Sequence, residues 1–289
     1  MHLPDGILSG HAEAAAGVVA VGGVAAAAKV AARQLPGIRP GRVAAVTAAV
    51  FAGQMLNFPV AQGTSGHLLG AALAVALLGP ALGVLSVTAV IVVQALAFAD
   101  GGTSSLGLNV VNMALVPGVA AWLVLRRGGR VELAALLSVL AAALAFSAEH
   151  ALAGLGTADP SAVAGHMLLV HLAIGAGEVV LTVAGVALAR RLRPVALGVA
   201  ALAAGVLVAP WASASPDGLE RVALDRGLAS LARTPVLESL PLAGYELDGV
   251  ASPVVSVALA AAAGVLLVGA LVAVVERTAR LRLARARHP

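Results

Sequence analysis

His2, directly after Met1, and His67, in the segment Gly63-Thr64-Ser65-Gly66-His67, are the residues whose types and positions best suit chemistry. A histidine at position two lets one dipeptide offer three nitrogens to a single ion: the free amine of Met1, the backbone nitrogen of His2 and a ring nitrogen of His2. His67 could add a fourth. Four nitrogens in a tetragonal arrangement suit Ni(II) or Cu(II), with Co(II) a neighbouring choice. Binding of this kind releases protons and weakens in acid, because the donors must be deprotonated. The scheme requires Met1 to stay in place. The opening Met-His-Leu-Pro-Asp-Gly has turn character and no basic stretch before its first apolar run, so a signal peptide is not expected and Met1 is expected to be retained. The plainer alternative makes His2 an exposed terminal residue and His67 a helix-capping or packing histidine.

The elements that would carry these residues are membrane helices. Of the 289 residues, 60% are hydrophobic and 11% charged, whereas a soluble globule carries about 25% charged residues. Runs long enough to cross a bilayer, about 20 helical residues each, occur near 10–32, 43–58, 81–98, 107–125, 131–152, 161–189, 195–210 and 253–275, and a shorter one spans 67–79. Arginines cluster at Arg33/Arg39/Arg42, Arg126/Arg127/Arg130, Arg190/Arg191/Arg193 and Arg277 to Arg287. Nine crossings with the N-terminus outside place all four clusters in the cytoplasm, as the positive-inside rule asks. The expected fold is therefore an all-α polytopic membrane protein of about nine transmembrane helices, with a cytoplasmic C-terminus. Trp122 and Trp211 then fall at opposite interfaces. The chain divides into a seven-helix unit, 1–193, and a two-helix accessory region, 194–289, whose spans flank a long polar outer segment. On this topology Met1, His2 and His67 share the outer side.

Composition excludes several functions. The chain has no cysteine, which removes disulfides and thiolate metal sites and leaves nitrogen and oxygen ligands. Lys29 is the only lysine and no GxxxxGK[ST] loop exists, so the chain has no P-loop for nucleotide hydrolysis. A net charge of +4 with arginines placed by topology indicates the lipid bilayer as partner, and no nucleic acid.

Other polar residues fit supporting parts. Asp5, Gln54, Asn57, Thr64, Ser65 and Asn109 are candidates for the surrounding shell that fixes imidazole tautomers and loop shape, although Asp5 with Gly6 after Pro4 also reads as a turn. Asp100-Gly101-Gly102 reads as an outer turn, its carboxylate solvated or pinning the ligand loop. Asp217, Glu220, Asp225, Glu238, Glu246 and Asp248 give the outer segment a carboxylate-rich flap that either gathers cations or, the favoured reading, keeps the loop soluble. His171 and Glu178 share a helix face about 10 Å apart along the axis and do not pair directly. Glu178 is a functional candidate because it is ionisable inside a span. Glu149-His150 and His11-Glu13 read as interface residues. The arginine-rich tail reads as a helix end among anionic headgroups, with contact to a cytoplasmic ATPase the less favoured option.

Four segments, Met1-His2-Leu3-Pro4-Asp5-Gly6, Gln54-Met55-Leu56-Asn57-Phe58-Pro59-Val60, Gly63 to Gly70, and Phe98-Ala99-Asp100-Gly101-Gly102 followed by Leu106 to Met113, resemble the signature segments of the CbiM/NikM family. The resemblance implies a substrate-specific membrane component of an energy-coupling-factor importer for Ni2+ or Co2+. It implies a seven-helix unit whose terminal amine, second-residue amide and imidazole, and loop histidine hold the ion, roles that fall on Met1, His2 and His67. It also implies separate partners, a transmembrane coupling protein and cytoplasmic ATP-binding subunits, and no organic cofactor. Pro216-Asp217-Gly218-Leu219-Glu220 and its flanking spans, about 195–280, resemble the two-helix accessory subunit fused to some such components. Two other classes remain weaker. A stand-alone secondary nickel/cobalt permease would carry HxxxxDH, yet no Asp-His dipeptide occurs. An intramembrane metallohydrolase would carry HExxH spacing, which is absent.

Overall fold

The computed structural model describes residues 1–61 and 63–285; Arg287, at the end of the basic tail, lies outside them. Apart from one two-stranded ribbon, the regular elements of the described chain are helices. Its order is α1 (Gly10–Gln34), α2 (Arg42–Gln54), β1 (Phe58–Pro59), β2 (Ser65–Gly66), α3 (Ala71–Leu78), α4 (Pro80–Ala97), α5 (Leu106–Val110), a π-helical turn (Val111–Leu115), α6 (Val116–Leu125), α7 (Val131–Ala153), α8 (Pro160–Arg191), α9 (Pro194–Val208), α10 (Gly218–Asp225) and α11 (Pro253–Arg285). Alanine-rich apolar sequence makes the long helices. Their starts are set locally: the Ser9 hydroxyl accepts from Ala12 N at 3.4 Å, the Asp159 carboxylate accepts from Ala162 N at 2.8 Å, and Pro160, Pro194 and Pro253 begin α8, α9 and α11.

Seven helical stretches among the described residues are long and apolar enough to cross a membrane. These are α1, α4, α5 with α6, α7, α8, α9 and α11, and the chain is a multi-pass membrane protein. The sequence runs 43–58 and 67–79 are shorter as helices, 13 residues in α2 and 8 in α3. The physical reason differs. α2 stops at Gln54 because the chain turns into the β1–β2 ribbon. α3 is short because residues 67–70 enter the bundle extended: Glu178, about midway along α8, accepts from Leu69 N at 2.5 Å and from Gly70 N at 3.0 Å. Gly70, at φ +82°, makes the bend into α3 that a side chain would strain.

At the opposite end of the bundle the arginine-bearing segments are tied together. Arg42 Nη1 donates to Ala189 O at 2.6 Å, Arg280 Nη2 donates to Ile38 O at 2.7 Å, and Gly41 N donates to Glu276 Oε1 at 3.0 Å. α11 packs along α2 and α9 through small residues; Gly264 sits so close to the Phe51 ring that a Cβ would come within 2.1 Å of it. α9 and α11 are thus packed on α2 and on each other, and the segment between them reaches the end of the bundle that holds the N-terminus.

Candidate functional site

The N-terminal strand is threaded into the bundle rather than left in solvent. Asn109, on α5, grips Leu3 as a neighbouring strand would: its Oδ1 accepts from Leu3 N at 2.7 Å and its Nδ2 donates to Leu3 O at 3.1 Å. Gly102 N donates to Leu3 O at 2.9 Å, and Asp5 Oδ1 accepts from Ser105 N at 2.8 Å. Leu3, Ile7 and Leu8 are buried, so apolar anchoring and backbone pairing act together. Asp5 is therefore more than a turn residue, since it ties the strand to the loop before α5.

This threading brings the amine of Met1 to 2.8 Å from Nε2 of His67. Nδ1 of His67 donates to Leu68 O at 2.9 Å, which assigns the proton to Nδ1 and leaves the Nε2 lone pair facing the amine. The His2 and His67 rings stack with centroids 5.8 Å apart and planes 19° apart. Nε2 of His2 lies 3.0 Å from Gln94 Oε1, and Nδ1 lies 3.1 Å from Asp100 Oδ2. Asp100 thus pins the histidine, and its other partner is the Tyr245 hydroxyl, which donates to it at 2.5 Å. Burial lowers the His2 pKa to about 4, with the nearby amine and His67 adding to the effect and Asp100 and Asp217 opposing it, which favours the neutral ring.

The loop that presents His67 is held from several sides. Gln54 Nε2 donates to Leu69 O at 2.9 Å, and Glu178 takes the amides of Leu69 and Gly70. Ser65 N donates to Pro216 O at 2.8 Å and Ser65 Oγ to Ser215 O at 2.7 Å. Thr64 is buried and acts through its backbone, accepting from Val60 N at 2.9 Å; Asn57 likewise contributes its carbonyl, accepting from Ser213 N at 2.8 Å. Gln54, Ser65 and Asn109 therefore support the site with side chains, and Asn57 and Thr64 with backbone.

Four features differ from the sequence reading. Glu13 is buried and accepts from Ser105 Oγ at 3.2 Å instead of lying at an interface. Asp217 is not a solvating carboxylate: its side chain is 13% exposed and contacts both the Met1 amine and His67. Burial pushes its carboxyl up, and the amine together with His67 outweighs this and holds it well below the usual carboxylate range. His150 is buried against Phe146 instead of lying at an interface, and Glu149 accepts from Asn112 Nδ2 at 2.7 Å. Gln94, whose only sequence signal is a lone amide in the apolar run of α4, holds His2 at Nε2. Among the described residues no three His, Asp or Glu side chains form a cluster able to hold an ion by themselves. Here the terminal amine and a backbone nitrogen would raise the donor count.

Residues 2–196 match the family model described as the cobalt uptake substrate-specific transmembrane region. The chain belongs to this family. Residues 191–281 match the PDGLE domain, so the family unit is fused to a PDGLE region. A fused nickel transport protein, NikMN, of Rhodobacter capsulatus is 34% identical over 218 residues, covering 67% of this chain and 63% of that protein. A cobalt transport protein, CbiM, of Geobacter sulfurreducens is 38% identical over 85 residues, covering 29% of this chain and 25% of that protein. The matches therefore span less than two thirds of either relative's length. A crystal structure of a truncated transition metal transporter aligns at TM-score 0.53 and 29% identity, covering 65% of this chain and 96% of that one.

Proposed function

We propose that this chain is the ion-capturing membrane component of an ATP-driven energy-coupling-factor importer, with Ni2+ or Co2+ as transported substrate. The observation that carries the reading is the 2.8 Å approach of the Met1 amine to the His67 Nε2 lone pair, beside the His2 ring. Two nitrogens bound at right angles to one ion, with metal–nitrogen bonds of about 2.0 Å, lie about 2.8 Å apart. Met1 and His67 are thus spaced as adjacent corners of a square. The backbone nitrogen and Nδ1 of His2 complete it, and this donor set suits Ni(II) and accepts Co(II). The surrounding contacts of Asn109, Gln54, Asp100 and Glu178 fix the donors in place, as outer partners of a metal site do.

In this reading the N-terminal end of the bundle faces outward and the arginine-rich end faces the cytoplasm. The chain crosses nine times, α2 and the extended segment with α3 making the two short passes. Residues 1–193 form the ion-binding unit, and residues 194–289 the accessory pair. Capture is reversible coordination, and ATP hydrolysis belongs to separate cytoplasmic subunits working through a transmembrane coupling protein. Family membership and the relatives named for nickel and cobalt transport support this assignment.

Isothermal titration of Ni2+ and Co2+ into wild type and His67→Ala tests the capture step. Loss of one of four donors should weaken binding by at least about 100-fold, and equal affinity would remove His67 from the site. Cellular uptake assayed with and without the ATP-binding subunits tests the energetics. Accumulation only with them is expected; accumulation without them would favour a secondary permease.

A further inference from the structure

The carboxylate of Asp217 is divided between two tasks. Its Oδ1 caps α10, accepting from Leu219 N at 2.7 Å and Glu220 N at 2.9 Å. Its Oδ2 contacts the Met1 amine and lies 3.6 Å from His67 Nε2. One oxygen therefore fixes the orientation of the group while the other is presented to two of the nitrogens assigned above to the ion. We propose that Asp217 is a fifth ligand to the captured ion, an oxygen donor delivered by the accessory segment to an otherwise all-nitrogen site. The inference rests on the ion-capture reading and extends it.

The whole of Pro216-Asp217-Gly218-Leu219-Glu220 serves that delivery. Pro216 O accepts from Ser65 N at 2.8 Å, tying the segment to the ribbon two residues before His67. Gly218 lies where a Cβ would come within 2.5 Å of Ile174 Cδ1 and 2.9 Å of His171 Cε1, so a larger residue would displace those side chains and glycine lets the start of α10 sit close against α8. Leu219, 2% exposed, anchors the turn in the core. Glu220 Oε2 accepts from Asp217 N at 2.9 Å and closes the capping box.

Charge gives the arrangement its reason. A divalent cation held by a neutral amine, two neutral imidazoles and one deprotonated amide leaves one uncompensated positive charge in a buried site, which is costly. One carboxylate neutralises it. Such a ligand also couples the position of the accessory segment to whether the ion is bound.

X-ray absorption at the nickel edge of the Ni2+-loaded full chain reads the coordination number, because planar four-coordinate Ni(II) gives a sharp 1s→4p feature that a fifth ligand removes. Wild type should lack this feature. Asp217→Asn, which keeps a good helix cap, should show it and bind Ni2+ about 10-fold more weakly, within the range of a lost supporting contact or ligand. The same edge in both proteins, or unchanged affinity, overturns the inference. His67→Ala separates the two levels: if it loses Ni2+ while Asp217→Asn does not, ion capture stands and the fifth ligand falls. If His67→Ala binds as wild type does, both fall.

Discussion

At the residue scale, the proposed ion capture depends on donors kept neutral and aimed. His2 titrates near 6.5 in an unfolded chain and at about 4 in the folded one, chiefly through burial. Between those values the unfolded chain holds the extra proton, so unfolding stability rises with pH across this window. The contribution is fully present above pH 6.5 and is lost as pH falls toward 4, on the order of 3 kcal/mol. Thermal unfolding of the ion-free protein in detergent should show this loss, and His2→Asn should flatten the profile; equal slopes would contradict a buried neutral ring. Asn109 makes a second test. Asn109→Leu leaves the buried N–H and C=O of Leu3 without their side-chain partner, at a cost of about 1–3 kcal/mol, and Ni2+ titration should show about 10-fold or greater weakening. The sequence announced His2 and His67 through position and type, and Asn109 through its setting. It gave no sign of Asp217 at the amine, because contact between residues 1 and 217 is fixed by tertiary packing and has no periodicity to read.

At the element scale, the short extended entry at residues 67–70 is what lowers His67 into the bundle, and Glu178 is its anchor. A carboxylate accepts both the Leu69 and Gly70 amides; a carboxamide offers one acceptor and sets an NH2 against an N–H. Glu178→Gln should therefore cost about 1–3 kcal/mol locally, read as faster amide hydrogen exchange over residues 66–71 and weaker ion binding. Unchanged exchange there would remove Glu178 from the anchoring role. Hydropathy located the apolar run at 67–79 but not its conformation, since an extended apolar stretch and a helical one have the same composition. The His171–Glu178 spacing correctly separated the two side chains. It could not reveal that Glu178 serves backbone amides on another segment.

At the scale of the whole molecule, one end of the bundle gathers the N-terminus, the His67 loop, the Asp100 turn and the PDGLE segment with Arg221, Arg226 and Arg233, and the other gathers the four arginine clusters. Helical class and the long spans were legible because hydrophobic runs and charge clusters are global signals. The way the accessory segment closes over the N-terminus was not, because it depends on the packing of α9 and α11 against α2. The native chain has no cysteine, so single introduced cysteines report orientation cleanly: Ser161→Cys, exposed at the site-end start of α8, should label from outside intact cells, and Gly128→Cys, among the arginines, only after permeabilisation. The reverse pattern would invert the topology. The central claim is that the chain's own amine is a ligand. Isothermal titration of Ni2+ into wild type, verified to begin at Met1, and into a variant with one glycine added before Met1 tests it most directly: the extended chain should lose at least about 100-fold in affinity, and equal affinity would contradict the account.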